Sequence, residues 1–357
     1  MDHQLRRRAL GARLSDLGVD ALVLTRLINV RYLTGFTGSN AQLVLMPEAV
    51  VFLTDGRYTE QSRHEIPDVQ RRTYPRDHRG EVAAIAAEHG IGRLGFESND
   101  LSVAAHAKLA AALPGTELVA LEGTVEQQRR VKDADEVDLL RRAQAVTDAS
   151  FEGVLDLCSV GISEQQLALD LERLIRREGG DGLAFEPIVA FGENAAEPHH
   201  EPSHRLLEEG DVIKMDFGAL VAGYHADMTR TVAFGQPASE LRKIHDVVRE
   251  AQQAGIDAVR AGVSGAAVDA ASRAVVAAAG YGDRFVHGPG HGVGLEIHEE
   301  PWLGQGQDEV LPAGAVVTVE PGIYIPGLGG VRIEDTVEVT DEGCRVLPAS
   351  TRELLEL

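Results

Sequence analysis

The sequence predicts an α+β protein in two parts. A smaller α/β domain occupies residues 1–126, and a larger domain over 127–357 is built from two copies of a helix pair followed by a β-hairpin. Three observations predict this. Strand and helix patterns alternate through the first third of the chain, as they do in layered α/β domains. The segment QQRRVKDAD, from Gln127, then turns charged and opens a long helix, with Asp133 followed by Glu136 as a capping box. Beyond it the chain resembles itself. Gly161-Ile162-Ser163 and Gly262-Val263-Ser264 each open a helix, and Gly210 precedes Asp216 by six residues as Gly314 precedes Glu320. DMTRTV, from Asp227, has its counterpart in EDTVEV, from Glu334. Self-similarity of this kind marks a duplicated architecture.

In the first domain the pattern predicts a basic helix over 4–17 and a strand over 21–25. NVRYLTGFTGSN, residues 29–40, reads as a loop; its glycine, threonine and aromatic content leaves a functional role and a plain turn equally open. Strands over 42–46 and 50–54 precede DGRYTEQS, where Asp55 can cap a helix. Ala-rich helices over 81–89 and 102–113 flank a strand at 93–97, and a strand at 117–121 closes the domain. No chemistry-bearing motif occurs in it, so it reads as a support and partner-contact domain. In the second domain the first helix runs to about residue 158, and Ser163 with Gln166 gives a further capping-box signature. Leu167, Leu171, Leu174 and Ile175 behind it mark one helical face. A strand at 183–191, the polar loop GENAAEPHHEPSH and a hairpin over 211–234 follow. Helices at 239–261 and 265–279 and the loop HGPGHGVGLEIHEEP lead to the second hairpin.

Composition excludes several function classes. The 357 residues are 44% hydrophobic, with no apolar run near the ~20 residues of a membrane span. MDHQLRRRAL carries basic residues without an apolar stretch after them, so no signal peptide is expected and the cytoplasm is the expected compartment. A net charge of −22 argues against nucleic acid or an anionic membrane as partner. The two cysteines, Cys158 and Cys344, suggest small buried side chains rather than a disulfide framework.

The hairpins carry the chemistry. Asp216 and Asp227 on adjacent strands could grip a divalent ion, but taken alone they read more readily as solvent-facing or turn positions. The second copy adds Glu320 and Glu334, giving four carboxylates around a pseudo-symmetric centre. Buried carboxylates need a cationic partner. Seven of the thirteen histidines also fall here: His199, His200 and His204 in one feeding loop, His287, His291 and His298 in the other, and His225 in the first hairpin. Carboxylates with an imidazole suit Mn, Co or Zn better than Mg or Ca. Two ions about 3.5–4 Å apart can activate water and polarise a carbonyl, which points to hydrolysis of an amide or a phosphoester. Residues 285–331 contain no Lys or Arg to clamp a phosphate, so the amide is preferred.

KMDFGALVAGYHADMTRT, HGPGHGVGLEIHEEP, VTVEPGIY and VRIEDT together resemble the pita-bread metallopeptidases, specifically the Xaa-Pro peptidases (aminopeptidase P and prolidase). RRVKDADEVDLLRRA is similar to the lead-in to that family's catalytic domain, and NVRYLTGFTGSN and LTDGRY to its creatinase-like N-terminal domain. The resemblance implies two divalent metal ions, Mn first with Co or Zn as alternatives. Asp216 would bind one, Asp227 and Glu334 would bridge both, and His291 and Glu320 would complete the second. Glu320 would also accept a proton from the bridging water. His298 and His199 resemble the pair that steadies the substrate carbonyl. His287, Tyr324 and Arg332 fall with the substrate-side residues, Arg332 resembling the arginine that orders the bridging carboxylates. His200, His204 and His225 gain no role beyond the polar loops. The 29–40 segment resembles one that reaches a neighbouring subunit's active site, so a homodimer is expected.

Two departures stand out: Glu197 replaces the usual leucine before PHH, and Trp302 follows HEEP where prolidases commonly carry arginine. The expected activity is aminopeptidase P, acting on peptides with proline second. The alternative is prolidase, an Xaa-Pro dipeptidase. The choice rests on the acidic loop WLGQGQDEVL, where Asp308 and Glu309 would repel a dipeptide carboxylate if they faced inward, although Arg31 or Arg57 could offset them. Methionine aminopeptidase shares the hairpins without so large an N-terminal domain in its bacterial form. A non-catalytic pita-bread binding protein, or a metal-free enzyme such as creatinase, would usually lack ligands; all five are present here.

Overall fold

A computed structural model describes residues 1–357 and divides into two compact units, Met1–Arg129 and Arg130–Leu357. The first unit holds α1 (His3–Ala12), β1 (Ala21–Leu24), α2 (Leu27–Thr34), β2 (Gln42–Leu45), β3 (Val50–Asp55), α3 (Thr59–Glu65), β4 (Gln70–Tyr74), α4 (Arg79–His89), β5 (Arg93–Glu97), α5 (Val103–Ala112), β6 (Glu117–Leu121) and the short α6 (Glu126–Arg129). Its strands form one mixed sheet in the order β4-β3-β2-β1-β5-β6. The inward residues Ala21, Val23, Val44, Val51, Leu53, Leu94 and Phe96 pack on Val82, Ile85 and Leu109 of the helices. Asp55 caps the short turn before α3 by accepting from Arg57 N, as its position predicts.

The 29–40 segment is not a loop throughout: α2 occupies Leu27–Thr34 and ends at Gly35, whose φ of 81° supplies the left-handed cap. No side chain of its own caps its start. Glu97, from β5, accepts from the backbone N–H of Thr25 and Arg26 instead, at 2.6 and 2.9 Å. A cap delivered from so far along the chain leaves no local signature. β4 is likewise absent from the sequence pattern, being a polar edge strand, QRRTY.

In the second unit the duplication is visible bond by bond. α7 (Ala134–Leu155) starts at the expected capping box, Asp133 and Glu136. α8 (Glu164–Arg177) follows, then β7 (Gly182–Leu183), β8 (Ile188–Phe191), β9 (Val212–Phe217), β10 (Ala219–Val221), β11 (Tyr224–His225) and β12 (Met228–Ala233). The second copy runs through α9 (Ser239–Ala258), α10 (Gly265–Ala278), β13 (Gly290–Gly292), β14 (Glu299–Leu303), β15 (Val316–Val319), β16 (Gly322–Ile325), β17 (Gly329–Arg332), β18 (Asp335–Val339) and β19 (Cys344–Val346). Ser163 Oγ caps α8 through Gln166 N and Ser264 Oγ caps α10 through Ala267 N. Only half of the capping box expected at Ser163 forms, because the Gln166 amide turns to Asp170. Ser163 bridges Leu206 as Ser264 bridges Val310. β9 pairs antiparallel with β12, and β15 with β18. The strand expected over 183–191 is interrupted between β7 and β8, which pair into different sheets. The apolar face of α8, Leu167, Leu171, Leu174 and Ile175, closes on Val189, Ile213, Met215 and Met228. The second half builds its core from Ile256, Val268, Val317, Val319 and Val337. No helix is long and apolar enough to cross a membrane.

Candidate metal centre

The central acceptors come from strand ends in both halves. Asp216 sits in β9 opposite Thr229 of β12, and Asp227 immediately precedes β12. Glu320 follows β15, Glu334 lies between β17 and β18, and His291 is in the middle of β13. Hydrogen bonds to backbone carbonyls join the halves: Glu334 N donates to Thr229 O at 3.1 Å, and the Thr336 hydroxyl Oγ1 donates to Asp227 O at 2.9 Å. The glycines of HGPGHGVG serve strand packing, and two of them, Gly288 and Gly290, also line the cavity. A Cβ on Gly290 would lie 2.0 Å from Thr318 O, and one on Gly292 2.4 Å from Glu300 O, so only glycine lets β13 fit between its neighbours.

Asp227, His291 and Glu334 bring ligand atoms within 4.8 Å of one another. His291 Nε2 is 3.5 Å from both Asp227 Oδ2 and Glu320 Oε1. Its Nδ1 faces the Gly292 carbonyl at 3.0 Å, so the ring proton sits there and Nε2 turns a lone pair toward the carboxylates. Asp216 accepts from Arg332 Nη2 through Oδ2, while its buried Oδ1 has no hydrogen-bond partner. Burial and the crowding of like charges push Asp227 and Glu334 far above the usual carboxylate range. Burial raises Glu320 to about 7 against the pull of Arg332, and lowers His291 to about 4. Carboxylate oxygens and an imidazole lone pair thus converge on one buried spot without a donor between them. That donor set fits a divalent cation of the Mn, Co or Zn kind.

Arg332 is 3% exposed and held in a buried network. It donates to Asp216, to Thr229 Oγ1 (3.0 Å), to Tyr324 Oη (3.0 Å) and to Pro198 O (3.0 Å). Of the carboxylate pair expected under its control, Glu334 is reached indirectly: Thr229 Oγ1 relays to Glu334 Oε2 at 2.7 Å. Its own pKa is raised, since the surrounding phenol and carboxylates outweigh burial, which acts to lower it.

Asp216, Asp227, His291, Glu320 and Glu334 share a cavity of about 460 Å³ with His199, His287, His298 and Arg332. Tyr324, expected on the substrate side, stands behind the wall, where its hydroxyl joins His287 Nε2 (2.9 Å) to Arg332. The apolar walls are Phe185, Ile188 and Pro198 on one side and Ile297, Trp302 and Leu303 on the other. Trp302 is stacked against His298, with ring centroids 6.5 Å apart and planes at 21°. Burial holds His298 and His287 below the usual imidazole value, His287 at about 4.

His200 is not a plain polar-loop residue. It is buried, with Nε2 2.9 Å from Glu164 and Nδ1 2.7 Å from Glu197, which is where the unusual Glu197 side chain turns instead of toward the cavity. His204 is exposed, and His225 meets Gly294 O at 3.1 Å. Thr229, Phe185 and Ile188 escape sequence reasoning. Thr229 could have been found, since it lies two residues past Asp227 and so on the same face of the strand.

The sequence matches Metallopeptidase family M24 over residues 138–341 and the Creatinase/Prolidase N-terminal domain over residues 6–131. It is 33% identical over 348 residues to an Xaa-Pro dipeptidase of Pyrococcus furiosus, covering 96% of this chain and 97% of that protein. Among solved structures, an Xaa-Pro dipeptidase from Bacillus anthracis is 38% identical, superimposes with a TM-score of 0.97 and is matched over the whole of both chains. An X-Pro aminopeptidase from Thermotoga maritima is 33% identical with a TM-score of 0.91, covering 97% of this chain and 100% of that one. A convergent carboxylate and imidazole cluster at the seam of a duplicated pita-bread domain, behind a creatinase-type N-terminal domain, thus has full-length relatives at substantial identity, and the chain belongs to metallopeptidase family M24.

Proposed function

We propose that this chain hydrolyses the peptide bond between an N-terminal residue and proline, and that Xaa-Pro dipeptides are its preferred substrates. The observation that carries the reading is the convergence of Asp227, His291 and Glu334, with Glu320 Oε1 3.5 Å from His291, in a cavity that Asp216 also lines and that apolar side chains and imidazoles wall. Asp216 would hold one divalent ion, Asp227 and Glu334 both, and His291 with Glu320 the second; manganese is the first choice. Bound there, the ions would make water a nucleophile at neutral pH and polarise the scissile carbonyl.

The chain's own residues supply the rest. Glu320 accepts the proton of the attacking water on its outer oxygen and returns it to the prolyl nitrogen, which has no hydrogen and cannot leave as an amine without one. His298 and His199 donate to the carbonyl oxygen as charge builds on it, a contribution of about 3 kcal/mol for one such donor. Burial favours the neutral form of His298, which still keeps one N–H. Phe185, Ile188, Trp302 and Leu303 exclude water around the proline ring.

The dipeptide preference departs from the expectation drawn from the acidic 301–312 loop. Glu309 pairs with Arg130, and neither it nor Asp308 lines the cavity; Gln305 and Gln307 do. The repulsion that disfavoured a free carboxylate is therefore missing, and the full-length relatives named Xaa-Pro dipeptidase support the same choice. One observation favours aminopeptidase P as the second reading. Arg332 is the one Lys or Arg in the cavity wall, and four of its five donors are already engaged. A homodimer is proposed as the working unit, on the resemblance carried by residues 29–40. Steady-state kinetics on Ala-Pro and Ala-Pro-Ala with the manganese-loaded protein test the reading, and Ala-Pro is expected to give the higher kcat/KM. A clear preference for the tripeptide would replace it with aminopeptidase P, and failure to cleave either would end both.

A further inference from the structure

The two loops that bring the outer imidazoles to the cavity are each fastened from behind by a basic side chain that plays no part in the chemistry above. In the first half, His199 follows the single helical turn Gly192–Ala196 and is itself exposed. Lys214, one residue of β9 away from Met215 and wholly buried, donates through Nζ to Ala195 O at 3.1 Å and to Glu197 O. These carbonyls lie just ahead of His199 and outside any strand. In the second half, Arg273 of α10 donates to Phe285 O at 2.9 Å and to His287 O at 3.0 Å. Asp269 fixes its guanidinium with two hydrogen bonds, at 2.9 and 2.7 Å, and the group lies 4.3 Å from the centre of the Phe285 ring. Neither basic residue lines the cavity.

Irregular backbone next to a buried site has no ladder to satisfy its carbonyls, so a side-chain donor must reach them. Such a donor also sets where the segment lies. An imidazole that must meet a carbonyl oxygen works only within about 0.5 Å of its proper place, and a displacement of about 1 Å costs on the order of 10²-fold in rate. His199 is exposed, so its placement is left largely to the backbone; the His287 ring also meets Tyr324 Oη at 2.9 Å, a contact that holds only while the backbone of its loop stays in place. We infer that Lys214 and Arg273 are positioning residues, Lys214 acting through His199 and Arg273 through His287, each by holding two carbonyls of the loop that carries its imidazole. The inference rests on the hydrolytic reading above for its kinetic consequences, though not for its structural ones.

The test uses the full-length manganese-loaded protein with K214M, R273M, H199A and H287A, singly and in all four Lys214 or Arg273 with histidine pairs. K214M and R273M are each expected to lower kcat on Ala-Pro by about 10-fold or more with manganese content unchanged. K214M should have no further effect in the H199A background and its full effect in H287A; R273M should show the reverse. Amide hydrogen exchange supplies a readout that needs no substrate: K214M should speed exchange within 195–203 and leave 285–288 alone, and R273M the opposite. Should K214M fail to fold, Lys214→Gln takes its place: it keeps a polar group in the buried site, but its shorter side chain falls short of the two carbonyls, so the same losses are expected. The inference is overturned if the losses are fully additive within each Lys214–His199 and Arg273–His287 pair, or if exchange in the two loops is unchanged. If the unmodified protein cleaves neither Ala-Pro nor Ala-Pro-Ala, the hydrolytic reading fails, and the exchange comparison alone decides the placement of the loops.

Discussion

Replacing Thr229 with valine probes the centre without touching a ligand. The hydroxyl is wholly buried, donates to Glu334 Oε2 at 2.7 Å and accepts from Arg332 Nε at 3.0 Å. Valine has nearly the same shape, so packing should survive while two hydrogen bonds vanish, the one from the charged Arg332 worth about 1.5–3 kcal/mol. Glu334 would keep its carboxyl group but lose the contact that aims it, the situation in which outer-shell changes lower metal affinity about 10–100-fold. That range equals roughly 1.4–2.7 kcal/mol of binding free energy. Titration calorimetry of Mn²⁺ into metal-free protein measures it directly, and circular dichroism checks that the fold persists. Thr229→Ser, which keeps the hydroxyl, should recover most of the affinity. A T229V variant that bound manganese within about twofold of the unmodified protein would refute the reasoning, because Glu334 would then need no orienting bond.

Asp227→Asn should abolish manganese binding and hydrolysis yet raise the thermal midpoint of the metal-free protein, since it relieves the crowding that pushes Asp227 upward; a lower midpoint in differential scanning fluorimetry would contradict this. His298→Ala should keep its metal and lose about 10²-fold in turnover, whereas His291→Ala should lose the metal; equal loss of metal in elemental analysis would break the division of roles. Burial lowers the pKa of His245, on α9, to about 4, so its contribution to stability is full above the unfolded value near 6.5 and is lost as pH falls toward 4. The loss amounts to about 3 kcal/mol, and denaturant unfolding of the metal-free protein at pH 7 and pH 4.5 should show His245→Gln losing less than the unmodified chain. Light scattering should give a dimer at assay concentration, and a fully active monomer would count against the expected role of the 29–40 segment.

How much of this was legible before the structure depended on where each residue's partners lie. Asp216, Asp227, Glu320 and Glu334 could be found because duplication repeats backbone positions, and Gly210 and Gly314, both at positive φ, mark the same turn into β9 and β15. α7 was legible because its cap is local. α2 was not, because Glu97 caps it from another strand. Glu197 is a case of the same kind: it replaces the usual leucine beside PHH, and only the structure shows its carboxylate turned to His200, whose other nitrogen faces the buried Glu164. Tyr324 and Arg332 were placed near the substrate by their motifs, yet their contacts form a buried brace that only the packed sheet assembles.

The cluster is also where the sequence breaks the rules that the rest of the chain obeys. Several buried charges elsewhere are matched by a partner: Arg230 pairs with Asp335, Lys132 with Glu299, and Lys214 meets two carbonyls. Among Asp227, Glu320 and Glu334 like charges face one another instead, with Arg332 reaching only the Asp216 side closely. A fold bears such a conflict only where function requires it. The conflict also predicts that stability and function move in opposite directions at these positions when metal is absent and together when it is present. Binding to the native state alone stabilises by RT ln(1 + [L]/Kd), about 2.7 kcal/mol at a ligand concentration 100-fold above Kd. The midpoint of the unmodified protein should therefore rise steeply with manganese concentration, while that of Asp227→Asn starts higher and stays flat, so the two curves cross. A pair of parallel curves would mean that the acceptors are not held apart by their own charge, and that the ion is a passenger of the fold rather than the group that completes it.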